Sequence, residues 1–425
     1  MAGSNKVVFI GIISIIVVIG VNIAMNENVK TEVSIHKKCE PDKNTVCLGF
    51  IFPRTGDLSS HGNENLKSAE LAVVEFNKKL PEDIEWILDY QVEDSATNSV
   101  VAFEQMEKLH AKNINIILGL EASENISEIL GYAERRNMLL VSCCSSAPVL
   151  AIPNDNLFRF VPDDSNQGEV LAKLMLKDGI KTAIPIWRDD VWGNGLYNET
   201  KKYFEKYGGN FTGGITYNPN SPESVSMSEL NKMVINYTKN DTKEVGVLFL
   251  SFKEIARFME LAEKSKTREL EGAKWYGPGA ITKEKELTMH PSNLFTHKIN
   301  LTTVQVAASG TSYDMIQKNL TTSFNAEPNS FVYPSYDTVG IVGKAILETH
   351  HNDVEFIKTN IIREIIPEIA AKHTDSAIGT TELNDAGDLA KASYDVLKLQ
   401  NGKWIKVGYY YTDEKEWKFE PLDKT

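Results

Sequence analysis

The sequence predicts an α/β protein with two lobes that follow an N-terminal transmembrane helix. Three observations support this prediction: an apolar run near the N-terminus, strands that alternate with helices, and a second start of that alternation in mid-chain. At about 100 to 200 residues per domain, 425 residues also fit two or three domains. The formal net charge of −13 repels polyanions, so we expect no nucleic-acid partner.

The apolar run covers residues 7–25, VVFIGIISIIVVIGVNIAM, in which Asn22 is the strongly polar residue. As a helix this run extends about 28 Å, enough to cross a hydrocarbon core of about 30 Å. A cleaved secretory signal usually has a shorter apolar core and small residues before the cut. We therefore favour an uncleaved anchor in residues 1–25, with a cleaved signal as the alternative, followed by a stalk in residues 26–45.

The residues that flank this segment predict its orientation. Lys6 and the amino terminus precede it, and a long polar chain follows it. Positive charge favours the cytoplasmic side, so the bulk of the chain should lie outside the cytoplasmic membrane, at the cell surface, or be secreted if the segment is cleaved.

Four cysteines fit an exported chain in two different ways. Cys39 and Cys47 are eight positions apart and predict a disulfide, with two free thiols as the alternative. Cys143 and Cys144 are adjacent, and adjacent residues do not easily meet ordinary disulfide geometry. We expect this second pair to be apolar packing residues, and we predict no metal or cofactor because no further Cys/His pair completes a tetrahedral site.

The first α/β unit follows the stalk and runs to about Val161. Short apolar runs alternate with segments whose apolar residues recur at helical spacing, beginning with Leu66, Ala69, Val73 and Phe76. Strands that alternate with helices predict a parallel sheet covered on both faces. The predicted strands are 47–52, 86–92, 114–120 and 138–142.

The second unit repeats this pattern. Helices are expected at 167–176, 195–207 and 253–264, and strands at 181–187, 244–250, 273–277 and 303–309. No Pro/Gly/Ser-rich linker separates the units, which favours two lobes joined by plain strands. In such an arrangement a ligand binds in the cleft outside the carboxyl ends of the strands.

Several motifs, in this order along the chain, resemble the branched-chain amino-acid (Leu/Ile/Val) binding proteins of ABC transporters. They are LGFIFPRTGDLSSHG at 48–62, KSAELAVVEFN at 67–77, SCCSSAPVL at 142–150, FRFVPDDSNQG at 158–168 and DVWGNGL at 190–196. The resemblance covers roughly residues 46 to 410 and implies a type I periplasmic binding protein with two Rossmann-like lobes. By analogy the chain crosses between lobes near Val161, Ser309 and Lys391, which gives lobe 1 residues 46–161 and 310–391, and lobe 2 residues 162–309 and 392–425.

The serines after the fourth strand are candidate ligand contacts. Ser145 and Ser146 bring hydroxyls and backbone amides together at a strand end, which suits an anionic or carbonyl oxygen. In similar proteins this loop holds the ligand carboxylate, and Ser123 matches the second position on that side. The alternative is that these serines only cap a turn and a helix.

The resemblance implies two further contacts. His61 stands where many relatives have an aromatic residue over the ligand, and Trp192 matches an aromatic residue that covers the ligand from the second lobe. The alternatives are a solvated loop histidine and a tryptophan that packs on Gly195.

One departure concerns the ligand. Amino-acid-binding relatives have an acidic residue after a Gly-Pro turn, and here that loop reads YGPGAI at 276–281, without the acid. Burying an unpaired ammonium is costly, so an amide, a urea-like compound or a short carboxylate is as plausible a ligand as an amino acid. Asp189 or Asp190 could substitute for the missing acid, but exposed acids at strand ends are usually just solvated.

The motifs of common enzyme classes are absent from the sequence, so we expect a binding protein and no enzyme. The resemblance implies the extracytoplasmic substrate-binding component of an ABC importer, which captures a small polar solute by hinge closure and delivers it to permease and ATPase subunits. A ligand-binding sensory ectodomain of the same fold is the alternative.

Overall fold

The computed structural model describes residues 38–222, 225–238, 242–299, 301–412 and 415–419. The predicted membrane helix at 7–25 and most of the predicted stalk lie outside these ranges. Within them, none of the helices combines the length and the apolar character that a bilayer crossing requires.

The first sheet has five parallel strands in the spatial order β2, β1, β3, β4, β5. Most of its strands are short apolar runs buried on both faces, as expected for a parallel sheet covered by helices, whereas the edge strand at residues 87–94 is partly exposed and polar. They are β1 (Thr45–Phe52), β2 (Ile87–Asp94), β3 (Ile116–Gly119), β4 (Leu139–Ser142) and β5 (Leu157–Arg159).

Six helices surround this sheet, and three of them come from the second half of the chain. They are α1 (Ser59–Lys78), α2 (Ser99–His110), α3 (Ser123–Arg135), α10 (Tyr313–Phe324), α11 (Val332–His350) and α12 (Thr359–Ala371). Helices α1 and α11 pack along each other. A Cβ at Gly343 would lie 2.6 Å from the ring of Phe76, so glycine at this position allows the close approach.

The second sheet joins nine strands, in the order β14, β13, β12, β11, β10, β9, β6, β7, with β8 also paired to β6. Strands β6 to β11 pair in parallel and β11 to β14 pair antiparallel. The strands are β6 (Thr182–Arg188), β7 (Asn210–Phe211), β8 (Ile215–Tyr217), β9 (Val245–Leu250), β10 (Lys274–Gly277), β11 (Leu301–Val306), β12 (Tyr394–Gln400), β13 (Lys403–Tyr411) and β14 (Glu416–Phe419).

The second group of helices accompanies this sheet. It comprises α4 (Asp164–Lys177), α5 (Val191–Lys206), α6 (Met227–Tyr237), α7 (Ile255–Ser265), α8 (Arg268–Gly272) and α9 (Asn293–Thr296). Helix α5 begins four residues before its predicted start because the Asp190 carboxylate accepts a hydrogen bond from the Gly193 N–H and caps the helix. The chain passes between the sheets three times, at 160–163, 307–312 and 390–393.

Both cysteine pairs form disulfides. Cys39 is bonded to Cys47, with 5.9 Å between their Cα atoms, and the bond ties the segment before β1 to that strand. Cys143 is bonded to Cys144, so the expectation that these two residues are unlinked packing residues is wrong. The chain leaves β4 in a tight turn, in which Ser142 Oγ accepts hydrogen bonds from the N–H groups of Cys144 and Ser145. This turn brings the neighbouring sulfurs within bonding distance.

Candidate ligand-binding site

A cavity lies between the two sheets, at the carboxyl ends of their strands. It is narrow: about 30 Å³ of it is open to the centre of a water-sized sphere. The loops and helix starts that follow strands of both sheets supply its lining: Leu58, His61, Glu121, Ser123, Cys144, Ser146, Gln167, Trp192, Phe252, Ala280 and Phe331. A ligand in this cavity would contact residues from both sheets, so its contacts depend on how the sheets are placed relative to each other.

Four of the five residues predicted as ligand contacts lie in this lining: His61, Ser123, Ser146 and Trp192. Ser145 is buried behind it, with its Oγ 3.2 Å from Ser123 Oγ. Ser123 Oγ also accepts a hydrogen bond from the N–H of Ala147, at 3.2 Å. Ser145 therefore supports Ser123, and the side chains that face the cavity from this loop are those of Cys144 and Ser146.

The Ser146 hydroxyl is already engaged by a buried carboxyl. Its Oγ donates to Asp164 Oδ2 at 2.9 Å, and Gln167 Nε2 donates to Asp164 Oδ1 at 2.7 Å. Burial raises the pKa of Asp164 to about 7, although these two hydrogen bonds act in the opposite direction. When Asp164 is ionised the Ser146 hydroxyl donates to it and presents lone pairs to the cavity, and when Asp164 is protonated the hydroxyl can accept from it and donate to a ligand.

Arg159 fixes the serine loop from behind. Its guanidinium is fully buried and forms a two-point ion pair with Asp388, with Nε to Oδ1 at 2.5 Å and Nη2 to Oδ2 at 2.6 Å. Its Nη1 donates to the carbonyl oxygens of Ala147, at 2.8 Å, and Ser145, at 3.3 Å. Our sequence analysis missed this residue, although a charged residue between Phe158 and Phe160 in an apolar strand is a detectable signal.

Glu121 is the carboxylate in the cavity lining, and the sequence analysis missed it as well. It lies two residues after β3 and is buried; its Oε1 accepts a hydrogen bond from Asn65 Nδ2 at 2.9 Å. Burial, together with the nearby Glu64 carboxylate, raises the pKa of Glu121 to about 8, although the Asn65 hydrogen bond opposes the shift. Its position at the carboxyl edge of a parallel sheet was the available signal.

His61 is buried at the cavity and is not a solvated loop residue. Burial lowers its pKa despite the carboxylates of Glu64 and Glu286, so the imidazole is neutral at pH 7. Its Nε2 lies 3.7 Å from Glu284 Oε2, which accepts a hydrogen bond from Ser60 Oγ at 2.9 Å. Glu284 is itself buried, and burial raises its pKa.

Aromatic rings form the apolar part of the wall. Trp192 packs against Phe252 with 4.6 Å between ring centroids, and Phe331 lies 6.0 Å from the His61 ring. The Arg188 guanidinium stacks on the ring of Phe252, with its central carbon 4.0 Å from the ring centroid. Trp192 therefore lines the cavity from the second sheet, and its contact with a ligand stays a prediction.

The two aspartates suggested as substitutes for the missing acid are engaged elsewhere. Asp190 caps α5 and pairs with Arg188 at 2.7 Å, and Asp189 Oδ1 accepts a hydrogen bond from Asn194. Neither belongs to the cavity lining.

The Cys143–Cys144 disulfide lies beside Glu121, and single ligand atoms of the three residues fall within 4.8 Å of one another. Metal binding by cysteine requires thiolates, and these sulfurs are bonded to each other. The disulfide acts as an apolar surface, with Asn65 Nδ2 3.6 Å from Cys144 Sγ.

Contacts across the cleft hold the two sheets together around the cavity. Lys253 Nζ, from the loop after β9, donates to the Gly56 carbonyl at 2.5 Å and to Ser59 Oγ at 2.8 Å. The Val191 N–H at the start of α5 donates to Glu124 Oε2 on α3 at 2.9 Å. The structure is therefore in an arrangement in which the cleft is bridged.

Comparisons with known proteins agree with this architecture. The family model described as "Receptor family ligand binding region" matches residues 64–402. An uncharacterised protein of Methanocaldococcus jannaschii is 24% identical over 87% of this chain and 90% of its own length. A Leu/Ile/Val-binding protein homolog of Brucella melitensis is 24% identical over 85% of this chain and 93% of its own.

Two solved structures show the same fold. A leucine-binding protein, LivK, of Thermotoga maritima superposes with a TM-score of 0.73 at 17% identity, over 87% of this chain and 99% of the other. A solute-binding protein of an ABC transporter from R. palustris, in complex with benzoate, gives 0.71 at 17% identity, over 86% and 96%.

Proposed function

This chain belongs to the receptor-family ligand-binding-region proteins, and from that premise we propose that it is the solute-capturing component of an ABC importer. The family and the Leu/Ile/Val-binding relative are binding proteins, as the sequence analysis expected for a chain that is not an enzyme. The observation that carries the proposal is the cavity between the two sheets, lined by strand-end loops of both.

The solute is a small molecule with polar groups and an apolar body. Polar contacts come from Glu121, Ser123 and Ser146, and apolar contact comes from Trp192 and Phe331. So narrow a cavity suits a small solute and not a peptide or an oligosaccharide.

Binding is coupled to closure of two lobes built on the two sheets. Lobe 1 is residues 46–161 with 310–391, and the hinge is formed by the three crossings at 160–163, 307–312 and 390–393. The open form binds the solute on Ser123 and Ser146, and closure places Trp192 over it. The bridging contacts of Lys253 and Glu124 form in the closed form.

We further propose that both lobes face the outside of the cytoplasmic membrane, anchored through residues 7–25. Two disulfides in the described part of the chain support an oxidising compartment. Protease added to intact cells should remove the lobes, and the protein should resist extraction by carbonate. Release into the medium would favour the cleaved-signal alternative.

The experiment that tests the function combines a ligand screen with transport. A solute that binds the native state raises the melting temperature, so amino acids, amines, amides, urea and short carboxylates are screened first. Deletion of the gene should then abolish high-affinity uptake of the stabilising solute by intact cells. Binding without any change in uptake would favour the sensory ectodomain, and the absence of binding across the screen would contradict both functions.

A further inference from the structure

The electrostatics of the cavity indicate which end of a solute it holds most strongly. Among its lining residues, all within the described ranges, none is Lys or Arg, and His61 is neutral. The two nearby cations already have partners. Arg188 is paired with three carboxylates, those of Asp57, Asp190 and Glu254. Lys253 donates to oxygens at the start of α1 on the other side of the cleft. A solute with only a carboxylate would thus meet no unpaired cation.

Glu121 offers the complementary feature. Asn65 satisfies one of its carboxylate oxygens, and no described group bonds to the other. The side chain is 6% exposed and lies in the cavity lining, and its second oxygen keeps access to the cavity, where a ligand can reach it. Because the carboxyl group is poorly solvated, its ionised form is stabilised when a ligand brings a cationic donor to this oxygen.

We propose that Glu121 is the counter-ion of a ligand ammonium, so that the solute is an amine or an amino acid and not a carboxylate alone. The inference rests on the proposed solute-binding function and names the class of solute. It also places the acid at the end of the first sheet, two residues after β3, and not in the loop after the Gly277-Pro278 turn.

Neighbouring groups complete an ammonium site. With Asp164 ionised, Ser146 donates its proton to that carboxylate and provides a second acceptor in the same lining. The faces of Trp192, Phe252 and Phe331 favour a cation and cover an apolar body. An ammonium has three N–H donors, and this combination of acceptors and aromatic faces matches it.

The titration of Glu121 agrees with this role. Its raised pKa of about 8 means that the empty site holds a proton at neutral pH, and a bound cation would replace that proton. The groups around it are Glu64, Asn65, the neutral His61 and the Cys143–Cys144 disulfide. None of these is a cation that competes for the carboxylate.

Matched probes test the proposal on the purified wild-type protein. Leucine carries an amine and a carboxylate on one branched alkyl chain. Isopentylamine keeps that chain with the amine alone, and 4-methylpentanoate keeps it with the carboxylate alone. The corresponding series for alanine is ethylamine and propanoate, and for phenylalanine it is phenethylamine and 3-phenylpropanoate. We expect the amine-bearing members of at least one series to raise the melting temperature and the carboxylate-only member not to.

Glu121→Gln keeps the shape and the Asn65 contact but removes the charge. Affinity for the stabilising amine should fall by about 10- to 100-fold in a calorimetric titration. Asp155→Asn is the matched control, since Asp155 is also a buried carboxyl with a raised pKa but lies outside the cavity lining, and it should bind the amine as the wild type does.

The failures of the two proposals can be distinguished. If carboxylate-only probes bind as well as the amines, or if Glu121→Gln binds the amine unchanged, the ammonium site is overturned while solute capture stands. If neither these probes nor the wider screen bind to the wild type, solute capture fails, and the ammonium site fails with it.

Discussion

Arg159 connects the stability of the molecule to the shape of its site, because one buried guanidinium holds both Asp388 and the carbonyls of the serine loop. Arg159→Met should lower the free energy of unfolding by about 3 to 5 kcal/mol, since it leaves the buried Asp388 carboxylate without its partner. Urea denaturation measures this loss. Arg257→Met, which removes an exposed pair with Glu260, should cost less than about 1 kcal/mol, and equal losses would contradict the role of Arg159.

Glu121 should make stability depend on pH. Its pKa rises from 4.5 unfolded to about 8 folded, so the folded state binds the extra proton between these values. The contribution of Glu121 to stability without ligand is therefore fully present below about pH 4.5 and is lost as pH rises towards about 8. Across this window the free energy of unfolding of Glu121→Gln should rise relative to that of the wild type by about 1.4 kcal/mol per pH unit.

Urea denaturation of both proteins at several pH values within that window checks this prediction. Asp164 and Glu284 also have raised pKa values and are present in both proteins, so the difference between the two curves isolates Glu121. If the unfolding free energies of the two proteins changed in parallel with pH, Glu121 would not have the raised pKa assigned to it.

At the scale of elements, the two disulfides should differ in what they stabilise. The Cys39–Cys47 bond closes a loop of eight-residue separation before β1. Replacing both cysteines by serine should lower the free energy of unfolding by about 2 to 3 kcal/mol, because the unfolded chain regains the entropy of that loop. Chemical denaturation of the two proteins measures the difference, and no change would show that this segment contributes nothing to stability.

The Cys143–Cys144 bond joins adjacent residues and constrains almost no loop. Replacing both by serine should lower stability mainly through the two hydroxyls that it buries, by about 1 to 3 kcal/mol, and should weaken solute binding because Cys144 lines the cavity. Calorimetry with the stabilising solute tests this, and unaltered affinity would contradict a role in the site.

The alternating strands and helices were predictable from the sequence because apolar periodicity reports burial directly. The antiparallel edge formed by β12 to β14 was not predicted as strands, since its pattern of apolar residues is less regular. Motif order placed His61, Ser123, Ser146 and Trp192 at one cavity. Glu121 and Asn65 were missed because their meeting depends on how α1 packs beside β3, which local sequence does not encode.

For the whole molecule, the proposed closure predicts that contacts across the cleft stabilise the closed form. Lys253→Ala removes the bridge from the second sheet to the start of α1, at Gly56 and Ser59. Solute affinity should fall by about 2- to 10-fold, because the closed form loses hydrogen bonds that the open form never makes. Without ligand, small-angle scattering should also show a larger radius of gyration for Lys253→Ala than for the wild type.

Lys264→Ala is the control for this prediction, since Lys264 is exposed on α7 and should leave affinity and radius unchanged. The same results for both variants would mean that the Lys253 bridge does not bias closure.

The central claim is that a solute binds between the two sheets, and a crystal structure with the stabilising solute tests it most directly. We predict that the solute lies in the cavity with an amino group within hydrogen-bond distance of Glu121 and an apolar part against Trp192. A solute bound outside this cavity, or one held there by its carboxylate with Glu121 out of contact, would contradict the account.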